Sequence, residues 1–198
     1  HVAPQFTALK PDTTLVTIGI GGNDASIADS AIHCVNILQI PLGPAPFGRP
    51  CVEDLTKDGK DELGDKIEKV RPKMAAVLAE IHRRSPRARV YVLGYGKAFP
   101  EGDGCWPYAP VLPPDVHYLR AKMAQLNQAL RDVTEAAGDH FVDTWTFSTG
   151  HDVCQPYGTA WINGIAIDPA GIPAHANEIY HRELAAFLER TIRSDDAR

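Results

Sequence analysis

Apolar residues fall along this chain in two alternating rhythms, unbroken runs and helical three- and four-residue steps. The run Leu15-Val16-Thr17-Ile18-Gly19-Ile20 is β-branched and apolar nearly throughout, and it stops at Gly21-Gly22-Asn23-Asp24. Such a run, bounded by turn residues, predicts a buried strand of the parallel type that ends in a loop. Arg89-Val90-Tyr91-Val92-Leu93-Gly94-Tyr95-Gly96 predicts a second strand, and His140-Phe141-Val142-Asp143-Thr144-Trp145 a weaker third. Between the first two, Ile67, Val70, Met74, Val77, Leu78 and Ile81 trace the stripe of an amphipathic helix, with Pro72 set to kink it or mark a break near its start. Val116, Leu119, Met123, Leu126, Leu130 and Val133 form a cleaner stripe that ends before Gly138. Ile179, Leu184, Phe187, Leu188 and Ile192 predict a C-terminal helix.

Strand and helix in strict alternation predict an α/β domain with a parallel sheet. Two long stretches interrupt it after strand ends, about residues 25 to 60, with Pro41, Pro44 and Pro46, and about 97 to 115, with Pro107, Pro110, Pro113 and Pro114. Ligands of open parallel sheets bind at the carboxyl ends of the strands, so these insertions are expected to wall a site. A length of 198 residues with 44% hydrophobic content fits one domain, and no repeat or linker divides it.

Charge narrows the partners. The 25 carboxylates outnumber the 20 Lys and Arg. The one basic cluster, Arg83, Arg84, Arg87 and Arg89, falls at a predicted helix end, where cations complement the macrodipole. That is not the basic face a nucleic acid requires. No apolar run reaches the roughly 18 residues of a membrane-spanning helix. The chain opens at His1 with no leader pattern, which reads as a processed, truncated or fragmentary polypeptide.

Cys34, Cys51, Cys105 and Cys154 all lie in stretches rich in Gly, Pro and polar residues, away from the periodic core positions. Even number and loop placement favour disulfides and an oxidising, extracellular compartment, while the lack of a C-x-x-C or a closely spaced His pair argues against a zinc site. Three pairings are open. Cys34 with Cys51 and Cys105 with Cys154 is the expected one, since each pair would staple one insertion.

Two places combine catalytic residue types with the right context. In Gly21-Gly22-Asn23-Asp24, a side-chain amide at a strand's carboxyl end can donate its N–H to a developing oxyanion, although the same residues would also simply make a turn. In Pro173-Ala174-His175-Ala176-Asn177-Glu178-Ile179-Tyr180-His181, His175 precedes the last helix and could act as a general base, or be a surface histidine.

Taken together, these blocks resemble the SGNH (GDSL-type) ester hydrolases. Val16 to Asp24 is similar to that family's third conserved block, and His175-Ala176-Asn177 followed by His181 to its fifth, usually His-Pro-Asn. Val92-Leu93-Gly94-Tyr95, Cys105-Trp106-Pro107, Phe141-Val142-Asp143 and Gly150-His151-Asp152-Val153-Cys154 are similar to its disulfide-bearing actinobacterial secreted lipases. The resemblance implies a flavodoxin-like three-layer α/β/α sandwich and a serine ester hydrolase of the lipase or esterase type, using no metal or cofactor. Asn23 would be the oxyanion donor and His175 the base, with His181 on the helix surface or the pocket wall.

The departures carry as much weight. The family's Gly-Asp-Ser block, on its first strand, is absent. Ser26, Ser30, Ser85, Ser148 and Ser194 lack that context, and Ser26, the one near a strand end, sits on the wrong flank for attack. The nucleophile is therefore expected from a missing N-terminal segment of the same protein, and this chain alone is expected to be inactive. Leu15 to Ile20 would then be left as a bare sheet edge. Ile172 stands where a carboxylate often orients the histidine, so a main-chain carbonyl or, more weakly, Asp168 takes that part. The alternatives are a non-catalytic SGNH-like binding module and an acetylesterase acting on polysaccharide.

Overall fold

The structure is a computed structural model that describes residues 4–38, 48–107, 109–164 and 174–197. Three strands, β1 (Leu15–Ile18), β2 (Arg89–Leu93) and β3 (His140–Val142), form a parallel sheet in that order. Leu15 pairs with Arg89, and Tyr91 with His140. All three strands run the same way, so their carboxyl ends lie along one rim of the sheet.

Helices cover both faces. Alternation along β2 separates them: Val90 and Val92 join the main core, whereas Tyr91 turns to the opposite face, stacked on His140 with its hydroxyl donating to Asp195. On the core side lie α3 (Glu62–Glu68), α4 (Val70–Arg84) and α5 (Pro113–Ala136); on the other lies α7 (Glu178–Asp196). The predicted stripes are what these helices bury, with Ile67, Val70, Met74, Leu78 and Ile81 meeting Val116, Leu119, Leu126 and Leu130. Each such side chain contributes roughly 1.5–3 kcal/mol by leaving water. α7 runs antiparallel to β2, since Asp195 and Asp196 near its end meet Tyr91 and Arg89, while Tyr180 in its first turn lies beside the Gly96 backbone. Its N-terminus is thereby brought to the carboxyl rim.

The first stripe is carried by two helices that meet at Lys69. Asp61 starts α3 by accepting the Gly64 N–H at 3.0 Å, and Pro72 is the third residue of α4, where its missing N–H costs nothing. Other boundaries differ from expectation. The third strand stops at Val142, because the Asp143 carboxylate accepts the Thr146 N–H and begins a one-turn helix, α6 (Thr144–Phe147). The second insertion ends at Leu112, since Pro113 and Pro114 occupy the first positions of α5. The first insertion contains two short helices, α1 (Ile27–His33) and α2 (Val52–Leu55), too short to show a periodic stripe. Among the described residues, no helix is long and apolar enough to cross a membrane.

The disulfides pair Cys34 with Cys51 and Cys105 with Cys154, with Cα separations of 5.0 and 5.4 Å. The loops they staple also join each other: Asn36 N–H donates to the Pro110 carbonyl at 2.6 Å, and Trp106 Nε1 to that of Ile37 at 3.1 Å.

β1 has one strand neighbour among the described residues, and its exposure shows the consequence. The centre of β2 is fully buried, but β1 alternates between exposed and half-buried positions, with Leu15 42% exposed. The bare edge expected of Leu15 to Ile20 is the outer side of this strand.

Candidate active site

The chain leaves β1 through a turn whose two glycines are needed for different reasons. Gly21 has φ +111°, and a Cβ there would lie 3.2 Å from Val70 Cγ1. A Cβ on Gly22 would come within 2.8 Å of the Tyr95 hydroxyl, which accepts the Gly22 N–H at 2.7 Å. Ala25 and Ile27 donate their N–H groups to the Gly21 and Gly22 carbonyls, leading into α1, and Asp24 pairs with Lys73. Asn23 is the exception in this bonded turn. Its side chain is exposed, and among the described residues nothing accepts from or donates to its amide. A turn reading accounts for the backbone; the free amide at the strand end is what oxyanion chemistry needs.

His175 lies in the segment leading into α7. Its carbonyl accepts the Asn163 N–H at 2.9 Å, Ala174 N–H donates to the Asn163 carbonyl at 3.0 Å, and Asn177 N–H to that of Trp161 at 2.9 Å. These form a short antiparallel bridge centred on Ile162 and Ala176. The Asn177 side chain completes the mounting: Oδ1 caps α7 by accepting the Tyr180 N–H at 3.1 Å, and Nδ2 donates to the Ala160 carbonyl at 2.7 Å. Beneath the bridge, the buried Trp161 stacks on His151 at 3.8 Å and packs against Phe147 and Tyr180. His175 itself is exposed and rides on this hydrogen-bonded backbone.

Both segments lie at the carboxyl rim and are joined through the end of β2. Tyr95 holds Gly22, while a Cβ on the next residue, Gly96, would lie 3.2 Å from Tyr180, in the first turn behind His175. Burial pushes the phenols of Tyr95 and Tyr180 above the ordinary tyrosine range, so both remain neutral hydrogen-bonding groups.

The remaining sequence candidates take lesser places. His181 is exposed on α7 with its ring edge-on to Tyr180. Ser26 adopts the left-handed conformation, φ 56°, at the head of α1. Ser148 is buried and accepts the Lys97 N–H, and Ser85 donates to the Lys10 carbonyl. Asp168 and Ile172 lie outside the described residues. Cys34, Cys51 and Asp115 converge as three residues of metal-ligating type, but both sulfurs are spent in a disulfide and cannot serve as thiolates. Sequence reasoning missed Asn127 and the task of Tyr95. Asn127 accepts the Tyr95 N–H at 2.7 Å and donates to the Tyr95 carbonyl at 2.9 Å, and its only sequence signal is a polar residue inside the α5 stripe.

A parallel sheet flanked by helices, with the candidate side chains on loops at one rim, defines an α/β protein of the kind that builds sites at strand ends. Residues 1–182 match the GDSL-like lipase/acylhydrolase family, and the chain belongs to it. It is 37% identical over 186 residues to Lipase 2 of Streptomyces coelicolor, which covers 93% of this chain and 61% of that protein. With an esterase of Streptomyces scabiei it shares 27% over 173 residues, 78% of this chain and 50% of that one. The chain thus spans about half to three-fifths of these curated relatives. The fold matches the crystal structure of phospholipase A1 from Streptomyces albidoflavus NA297, with a TM-score of 0.68, 23% identity and coverage of 87% of this chain and 65% of that one. It also matches an extracellular lipase from Streptomyces rimosus, with a TM-score of 0.62, 24% identity and coverage of 92% and 72%.

Proposed function

We propose that this chain is the larger part of a secreted carboxylic ester hydrolase that works through a serine, with His175 as general base and acid and Asn23 as oxyanion donor. The observation that carries the reading is the Asn23 amide. Among the described residues it has no hydrogen-bond partner, at a strand's carboxyl end in a turn whose Gly22, Ala25, Ser26 and Ile27 N–H groups are all bonded. Membership of a lipase and acylhydrolase family supports the reaction class, and the two disulfides support an oxidising compartment.

The nucleophile is a serine from a segment of the same protein outside these 198 residues. The half-exposed outer side of β1 supports this, because a further strand placed there would cover Leu15 and bring its own carboxyl end beside Asn23. His175 removes the serine proton as Oγ attacks the ester carbonyl. The carbonyl oxygen takes up negative charge against the Asn23 N–H, and collapse expels the alcohol, which receives the proton from His175. Water then enters by the same route, His175 accepts its proton, and the acid leaves with serine regenerated. The substrate class is an acyl ester, supported by membership of the lipase and acylhydrolase family.

Hydrolysis of a short-chain p-nitrophenyl ester by the polypeptide as its organism makes it tests the assignment. His175→Ala is expected to lower kcat at least about 10³-fold and Asn23→Ala about 10²- to 10³-fold. Activity indifferent to both substitutions would reject these roles, and an intact polypeptide with no esterase activity would favour a binding module.

A further inference from the structure

We infer that Tyr95 is a positioning residue for the oxyanion donor: by accepting the Gly22 N–H, its hydroxyl sets the direction in which Asn23 presents its amide. The inference rests on the reading of Asn23 as that donor.

Tyr95 stands one residue beyond the last sheet hydrogen bond of its segment, in which Gly94 N–H donates to the Val142 carbonyl at 3.1 Å. Past that point the backbone would be free to splay. Instead the side chain of Asn127, buried on α5, binds both the N–H and the carbonyl of Tyr95 and replaces a strand partner. A Cβ at Gly94 would lie 2.6 Å from Asn127 Oδ1, so the close approach of α5 requires that glycine. The Tyr95 ring is therefore aimed by a rigid mount, and its hydroxyl reaches across the rim to the residue before Asn23.

The turn does not need this bond to exist. The N–H groups of Ala25, Ser26 and Ile27 are satisfied by the carbonyls of Gly21, Asn23 and Gly22, and Asp24 is held by Lys73. What the Tyr95 hydroxyl adds is a fixed orientation of the Gly21–Gly22 peptide; with the Gly22 carbonyl already held by the Ile27 N–H, both peptides leading into Asn23 are pinned, and with them the Cα–Cβ bond that carries the amide. Donors in an oxyanion hole act through direction as well as presence, and a misplacement of about 1 Å can cost on the order of 10²-fold in rate. Burial keeps the phenol protonated, so the acceptor stays neutral across the working pH range and adds no charge beside the developing oxyanion.

A double-mutant cycle in the complete polypeptide tests the inference, with the p-nitrophenyl ester as substrate. Tyr95→Phe keeps the ring and removes the acceptor; it is expected to lower kcat about 10- to 100-fold with KM changed less than about 2-fold. In an Asn23→Ala background the same substitution should have almost no further effect on kcat. A purely structural tyrosine would lower both backgrounds alike. Multiplicative effects of the two substitutions, or a Tyr95→Phe enzyme that changes KM alone, would overturn the inference and leave the role of Asn23 standing. Normal kcat in Asn23→Ala would overturn both. Should Tyr95→Phe fold poorly by circular dichroism, Asn127→Asp supplies the second arm. It keeps the hydroxyl but removes the donor to the Tyr95 carbonyl, and its effect on kcat is expected to disappear in the Asn23→Ala background; persistence there would count against the inference.

Discussion

Asp115 is the buried carboxylate on which the first disulfide loop depends. It sits in the first turn of α5, 1% exposed, and accepts the Cys51 N–H at 3.0 Å and the Val52 N–H at 2.9 Å. These are N-terminal donors of α2, which has no side-chain cap of its own, so one residue of α5 both caps that helix and anchors Cys51. Asp115→Ala removes two hydrogen bonds, each contributing roughly 0.5–1.5 kcal/mol to the neutral carboxyl and roughly 1.5–3 kcal/mol to the carboxylate, and leaves both donors without their acceptor. Relief of the carboxylate's own desolvation offsets part of that loss. Burial is the largest influence on this group and holds its pKa above 3.8 despite the two N–H bonds, with Glu53 pushing the same way and His33 the other. A net cost of about 2–3 kcal/mol follows.

The sign with pH is fixed by the same shift. The folded state binds this proton more tightly than the unfolded state, so the contribution of Asp115 is fully present below about pH 3.8 and declines as pH rises through the higher folded-state value. Urea unfolding of wild type and Asp115→Ala at pH 4 and pH 7, disulfides intact, should show the larger gap at pH 4. A gap below about 0.5 kcal/mol at both, or one that widens toward pH 7, would refute the reasoning.

Gly94→Ala should destabilise by about 1–3 kcal/mol or more, because its Cβ would meet Asn127 Oδ1 at 2.6 Å and Phe141 Cζ at 2.8 Å; a thermal midpoint equal to wild type would show that α5 can withdraw. Asn177→Ala should cost about 1–2 kcal/mol from the lost α7 cap and, by loosening the mount of His175, lower kcat more than it raises KM, whereas Asn177→Asp should recover the cap but not the bond to the Ala160 carbonyl. The 198 residues made alone should self-associate through β1, read as concentration-dependent light scattering, and a persistent monomer would mean that this edge is protected in another way.

The parallel sheet and its main helices were legible because burial on two faces and burial on one stripe leave different rhythms, and Val90-Tyr91-Val92 and the α5 stripe show each plainly. Disulfide pairing was legible for Cys34 and Cys51, which share the first insertion, and it left Cys105 and Cys154 as the remaining pair, which joins the second insertion to the loop after α6 across α5 and β3. The break at Lys69 was foreshadowed by Pro72. Elements of one turn were not legible: α2 and α6 are set by a carboxylate distant in sequence or by a local cap, and neither leaves periodicity. At the site, Asn23 and His175 stood out as residue types in recognisable contexts. What holds them did not, because Asn127 and Tyr95 are 32 positions apart, and Tyr95 and Gly22 are 73 apart. Such contacts exist only once helix and strand have packed.

The central claim is that Asn23 and His175 serve one reacting carbon. The direct measurement is a crystal structure of the complete polypeptide after reaction with a p-nitrophenyl alkylphosphonate, whose phosphonyl oxygen stands in for the oxyanion of the tetrahedral intermediate. The account predicts phosphorus bonded to a serine Oγ, with that oxygen about 2.7–3.1 Å from Asn23 Nδ2 and a ring nitrogen of His175 within about 3.2 Å of Oγ. An adduct remote from both side chains, or Asn23 and His175 opening onto different faces of the sheet rim, would contradict it.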